Sequence, residues 1–205
     1  MPAALLDVVV DDLDLPGGPV RRARPRSFDD VRAADALAGP GRPTPYWASA
    51  WPSGTALAEA VAAAGDLEGK RVLELGCGIG MPSVVAARAG AQVLATDAAP
   101  EAVAYAAYNL ALNGLDGEVA ARGWEDIDGR FDLVLGADVL YLQANADALT
   151  RRLPHLVGPG GEAWIADPGR AACKAFLASV RRRWRLDTTG TAVKVHRLRR
   201  RARFA

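Results

Sequence analysis

The residues best suited to chemistry fall at a few places along the chain. In Val72-Leu73-Glu74-Leu75-Gly76-Cys77-Gly78-Ile79-Gly80, an apolar run leads into three closely spaced glycines, and an Ala-rich stretch follows. Glycine in such a turn permits φ > 0 and carries no Cβ, so backbone can approach a ligand closely. The amides at the start of the next helix then face whatever sits there. A dinucleotide loop of the form G-x-G-x-x-G would need its third glycine at Met81, whereas Gly80 arrives one residue early. Glu74 adds a carboxylate two residues before the first glycine, and Asp97 closes the next apolar run, Val93-Leu94-Ala95-Thr96. One carboxylate at a strand end can accept hydrogen bonds from two vicinal hydroxyls, or it can cap the helix that follows. Asp138 and Tyr141, in Asp138-Val139-Leu140-Tyr141, pair a carboxylate with a phenol. They suit a substrate pocket, or a helix cap near Gln143 beside a packed aromatic. His155 and His196 have no partner at metal or triad spacing, and Cys77 and Cys173 lack metal-ligand spacing, so no metal is expected.

These residues need a scaffold, and the sequence supplies an alternating one. Strands are expected at Arg71–Leu75, Gln92–Thr96, Glu118–Ala121, Asp132–Gly136 and Ala163–Ala166. Helices are expected at Trp51–Ala64, Met81–Ala89, Pro100–Leu112, Asn145–Leu156 and Ala171–Arg183. This alternation implies a mostly parallel α/β sheet covered on both faces. Right-handed crossovers put its strand C-termini along one edge, where ligands bind. Trp184–Thr188 and Ala192–Leu198, joined at Thr189-Gly190, then read as an antiparallel hairpin. Residues 1–45 hold a strand candidate at Leu5–Val10, but Pro16-Gly17-Gly18-Pro19 and Gly39-Pro40-Gly41-Arg42-Pro43 break regular structure. They are expected to form an irregular N-terminal cover, with a single domain over residues 46–205.

Five parallel strands followed by a hairpin resemble the Rossmann-like, seven-stranded plan of class I methyltransferases, and the Glu74–Gly80 loop resembles their E/D-x-G-x-G loop. The resemblance implies S-adenosylmethionine as cofactor, held by Glu74, Gly76, Cys77, Gly78, Gly80 and Asp97. Trp124 would line the adenine edge, or else pack in the core. Pro45-Tyr46-Trp47-Ala48-Ser49-Ala50-Trp51-Pro52-Ser53-Gly54 and the D-x-x-Y run from Asp138 to Tyr141 narrow the match. Together with Asp167-Pro168-Gly169-Arg170 they resemble the seven-β-strand protein lysine methyltransferases, and within them the branch that modifies the electron transfer flavoprotein β-subunit. That resemblance runs from about Pro45 to the C-terminus. It implies catalytic and acceptor-positioning roles for Asp138 and Tyr141, with Tyr141 walling the channel and offering one hydrogen bond, cofactor-side packing for Trp51 and a protein-facing role for Arg170. The Asp167–Arg170 run can also be a simple tight turn.

Composition bounds the partners. Half of the 205 residues are hydrophobic, enough for one domain with a buried sheet. No apolar run reaches the roughly 18 residues of a membrane span, and Met1 to Asp14 is acidic, unlike a secretory signal. Sparse cysteine fits a reducing cytoplasm. The net charge of +1 conceals an Arg-rich end from His196 onward, which suits a solvated last strand, or else nucleic acid or an acidic protein partner. A monomer acting on a protein lysine is expected, with a small-molecule amine as the alternative acceptor. Nucleic acid is disfavoured because no N-P-P-Y run follows the fourth strand. A non-catalytic cofactor-binding module and a nicotinamide oxidoreductase complete the alternatives.

Overall fold

The computed structural model describes residues 8–37 and 43–201. Leu5 to Asp7, Gly39 to Arg42 and the tail from Ala202 lie outside the described residues. The chain forms β1 (Val8–Leu13), β2 (Val20–Pro25), α1 (Phe28–Leu37), a 3-10 turn at Tyr46–Ala48, α2 (Pro52–Ala64), β3 (Arg71–Leu75), α3 (Met81–Arg88), β4 (Gln92–Asp97) and α4 (Pro100–Leu112). It continues through β5 (Glu118–Ala121), a second 3-10 turn at Trp124–Asp126, β6 (Phe131–Ala137), α5 (Gln143–Leu156), β7 (Val157–Asp167), α6 (Ala171–Val180), β8 (Trp184–Thr189) and β9 (Lys194–Arg200).

Seven strands make one sheet in the order β5-β4-β3-β6-β7-β9-β8. The pairs from β5 through β7 are parallel, while β9 runs antiparallel to both β7 and β8. Apolar side chains leave both faces of the central strands, so helices must cover both. Val72, Leu133 and Leu135 pack on one face with Leu57, Val61, Val84 and Tyr105 from α2, α3 and α4. Leu73, Leu75, Val134 and Ile165 pack on the other with Leu149, Leu153 and Phe176 from α5 and α6.

Several boundaries differ from the sequence expectation. β7 begins at Val157, six residues early, because it pairs with Phe131 before an irregularity shifts the register to Leu133 and Glu162. A Cβ on Gly161 would lie 2.8 Å from the Phe131 carbonyl oxygen. Its glycine therefore serves a bulged, close approach rather than a turn. The last hairpin turns over residues 190–193, so β9 starts at Lys194 instead of Ala192.

Residues 8–37 are more regular than an irregular cover. β1 and β2 form their own antiparallel hairpin, closed by Gly17 and Gly18 at positive φ, and α1 follows. The interactions that fix the hairpin are not local. Asn109 of α4 accepts from the Ala23 amide at 2.6 Å and donates to the Ala23 and Ile79 carbonyls at 2.9 and 2.8 Å. Asn113 pairs in the same way with the backbone of Arg21. α1 buries no residue, so it carried no periodic signal to find.

Candidate active site

The loops at the C-terminal ends of β3, β4, β5 and β6 meet in one cavity of about 560 Å3, within the size range of small-molecule sites. Trp51, Glu74, Gly76, Cys77, Gly78, Asp97, Trp124, Asp138 and Tyr141 all line it. Arg22 and Asp35 of the N-terminal segment, and Tyr46 and Trp47 ahead of α2, complete the wall.

Each glycine of the loop is set by a neighbour. Gly76 has φ +61 and a Cβ there would meet Val139 Cγ1 at 2.9 Å, while Gly78 has φ +52 and faces the Trp47 carbonyl. Gly80, with φ +77, does not line the cavity; a Cβ on it would strike Ala106 Cβ at 2.8 Å. Its glycine lets α3 pack against α4, in the turn that carries the two cavity-lining glycines. The Cys77 amide donates to the Thr96 carbonyl at 2.9 Å, and burial pushes the thiol well above its usual range.

Two carboxylates steady this loop. Glu74 Oε2 accepts from both the amide and hydroxyl of Ser83, at 2.9 and 2.5 Å, tying β3 to the first turn of α3. Burial pushes its carboxyl up to about 8 despite the Ser83 bonds. Asp97 Oδ2 accepts from the Gly78 amide and Oδ1 from the Ala99 amide, both at 3.0 Å. Burial raises its pKa as well. The residue that caps α4 is Ala99, so Asp97 ties the glycine loop to the turn before that helix rather than capping it. A carboxylate offers about four acceptor positions, and the amides of the loop do not fill all of those on Asp97.

The opposite side of the cavity centres on Asp138. It has φ 58, the one positive value at a non-glycine position among the described residues. Such a conformation is uncommon outside glycine and is sustained by its surroundings. Its amide donates to the Ala166 carbonyl at 2.9 Å. Arg170 Nε lies 2.5 Å from Oδ1 and Ser53 Oγ lies 3.4 Å from Oδ2. Asp138 caps no helix, since α5 starts after Leu142. Arg170 does not line the cavity; it turns onto Asp138, which keeps its guanidinium above the ordinary range. Tyr141 is 45 % exposed at the rim, where Tyr46 packs against it at 5.5 Å and against Trp51 at 6.2 Å. Trp51 Nε1 donates to the Tyr46 carbonyl at 2.7 Å.

Sequence reasoning passed over Tyr46, Ser53 and Asp167. All three sit inside motifs already singled out, but the motifs alone do not say which of their residues meet Asp138 or the rim. Buried Asp167 accepts from the amides of Gly169 and Arg170 on Oδ1, at 2.6 and 2.7 Å. Among the described residues no cluster of His, Cys, Asp and Glu is arranged to hold a metal, and no helix is long and apolar enough to cross a membrane.

The cavity fits S-adenosylmethionine on three observations. The glycine loop presents backbone without Cβ bulk, Asp97 keeps acceptor capacity, and Trp124 supplies a flat wall beyond β5. The family model described as "Lysine methyltransferase" matches residues 45–182. EEF1A lysine methyltransferase 3 of Mus musculus is 40 % identical over 114 residues, 52 % of this chain and 48 % of the relative. The electron transfer flavoprotein beta subunit lysine methyltransferase of Danio rerio is 37 % identical over 141 residues, 63 % of this chain and 52 % of the relative. The chain thus spans about half the length of the curated relatives it matches. Among solved structures, the ribosomal protein L11 methylase from Lactobacillus delbrueckii superimposes with a TM-score of 0.63 at 23 % identity, covering 72 % of this chain and 78 % of that one, a likeness of fold. With a family match across most of the sheet and the cavity built at its expected edge, the chain belongs to the lysine methyltransferase family of S-adenosylmethionine-dependent methyltransferases.

Proposed function

We propose that this chain transfers a methyl group from S-adenosylmethionine to the ε-amine of a lysine on a protein. The observation that carries the reading is Asp138, held at positive φ on the wall of the cavity that the glycine loop also lines. When bound, the cofactor supplies a methyl group already activated by its sulfonium. The protein's task is then to hold and orient the acceptor, and orientation alone can lower a barrier by several kcal/mol. Glu74, Gly76, Gly78, Asp97 and Trp124 form the side that would hold the cofactor. Asp138 presents oxygens to an amine, with buried Ser53 behind it, while Tyr46, Trp51 and Tyr141 offer aromatic faces to an aliphatic chain entering from the rim.

Among protein acceptors the electron transfer flavoprotein β-subunit is the first to test. The alignment to its methyltransferase is longer than that to the EEF1A enzyme, 141 residues against 114. The test is incubation with methyl-tritiated S-adenosylmethionine and a lysate of the source cells, then gel and fluorography, with the purified β-subunit alongside. A labelled protein band is expected. Asp138→Asn should lower its formation at least about tenfold while affinity for S-adenosylhomocysteine stays within a few fold. Asparagine tolerates the left-handed backbone, so the variant isolates the charge. Label confined to small molecules would refute the protein acceptor. Unchanged labelling by Asp138→Asn would refute the role of Asp138.

A further inference from the structure

The carboxylate on the acceptor side is already paired. Arg170 Nε contacts Asp138 Oδ1 at 2.5 Å, and the Asp138 side chain is only 7 % exposed. Both partners hang from the end of β7. Asp138 is fastened through its amide to Ala166, and Arg170 through its own amide to buried Asp167. The other ionisable or hydroxyl groups facing the pair are Ser53 from α2, Tyr46 from the first 3-10 turn, Tyr141 from the turn after β6 and Cys173 from α6.

This arrangement bears on a problem specific to a lysine acceptor. Its nitrogen must lose a proton before its lone pair can attack, and a free carboxylate beside it would favour the charged ammonium. We propose that Arg170 makes the acceptor site select the neutral amine. By occupying Asp138 it leaves no unpaired carboxylate to retain the ammonium, and its own charge repels one. The lysine proton passes to solvent before the nitrogen is seated, and the remaining Asp138 lone pairs receive the N–H groups of the free base. Arg170 is therefore a positioning residue acting through Asp138. The inference rests on the lysine methyltransferase reading.

The test uses n-butylamine as a stand-in for the end of a lysine side chain, bound to the full chain saturated with S-adenosylhomocysteine. Calorimetry in buffers of different ionisation heat counts the protons released. The unaltered protein should release about one proton per amine bound, and its affinity should rise close to tenfold per pH unit below the amine pKa of about 10.4. Arg170→Gln should release almost none and bind with little pH dependence, because Asp138 is then free to hold the ammonium. Arg170→Lys should restore the release. Equal proton counts in the unaltered protein and Arg170→Gln, no release from the unaltered protein, or no amine binding by either would overturn the proposal. If Arg170→Gln fails to fold, Arg170→Met takes its place, with the same loss of proton release expected and an undiminished release overturning the proposal. Failure of S-adenosylhomocysteine to bind would instead overturn the methyltransferase reading, and this proposal with it.

Discussion

Replacing Glu74 with glutamine should remove a pH dependence from the stability of the ligand-free protein. Glu74 is 1 % exposed, and burial, with a smaller push from Asp97, raises its carboxyl from 4.5 to about 8. Between these values the folded protein holds a proton that the unfolded chain has lost. The stability contribution is therefore complete below the unfolded value of 4.5 and declines as pH rises toward about 8. At about 1.4 kcal/mol per pH unit, the loss from about pH 6 to about pH 8 is on the order of 2–3 kcal/mol. For a chain of this length that lowers Tm by roughly 5–10 °C. Glutamine keeps an oxygen for the Ser83 amide and hydroxyl but cannot ionise, so this decline should be missing from its Tm profile over the same range. Buried His196, whose pKa is lowered by desolvation, works in the opposite sense. Its neutral native form gives stability that rises with pH until the unfolded imidazole has lost its proton, and subtracting the two melting curves cancels that effect. Thermal melts of both proteins by circular dichroism across this range make the measurement. Parallel Tm profiles would refute the claim that burial governs Glu74.

Gly80→Ala should destabilise the fold by about 2–4 kcal/mol, from a β-carbon forced against Ala106 and a left-handed backbone that alanine disfavours. A Tm within a degree or two of the unaltered protein would contradict the packing. Asn109→Ala leaves the Ala23 amide and the Ala23 and Ile79 carbonyls without their side-chain partner. A cost of about 2–4 kcal/mol is expected, with hydrogen exchange accelerated first in the β1–β2 hairpin; uniform acceleration across the sheet would argue against a local staple. Cys77, buried with its thiol pushed upward, should react with iodoacetamide far more slowly than a free thiol at pH 8, as followed by mass spectrometry of the labelled peptides. Rapid labelling of folded protein would contradict that burial.

The part of the fold from Arg71 onward was legible because its signals are local. The central strands are short apolar runs, the helices between them are Ala-rich, and glycine or aspartate marks the strand ends. The cofactor side followed for the same reason, since Glu74, the glycines and Asp97 lie at the ends of consecutive strands. Boundaries slipped where glycine played two parts. Gly161 and its neighbours looked like a turn but form the bulged start of β7. The N-terminal hairpin was missed because Asn109 and Asn113 hold it from 86 and 92 residues away.

From Arg71 onward the sequence by itself determined the element types, the parallel sense of the core strands and the residue classes at the ligand edge, because periodicity and turn chemistry act within a few residues. Only the tertiary structure decided the partners. Gly80 lets α3 pack on α4, Tyr46 joins Trp51 and Tyr141 at the rim, and Arg170 turns onto Asp138. Asp138 and Arg170 lie 32 residues apart and meet because β6 and β7 are neighbours in the sheet. A short-range pattern holds no information on which charges such a juxtaposition will pair.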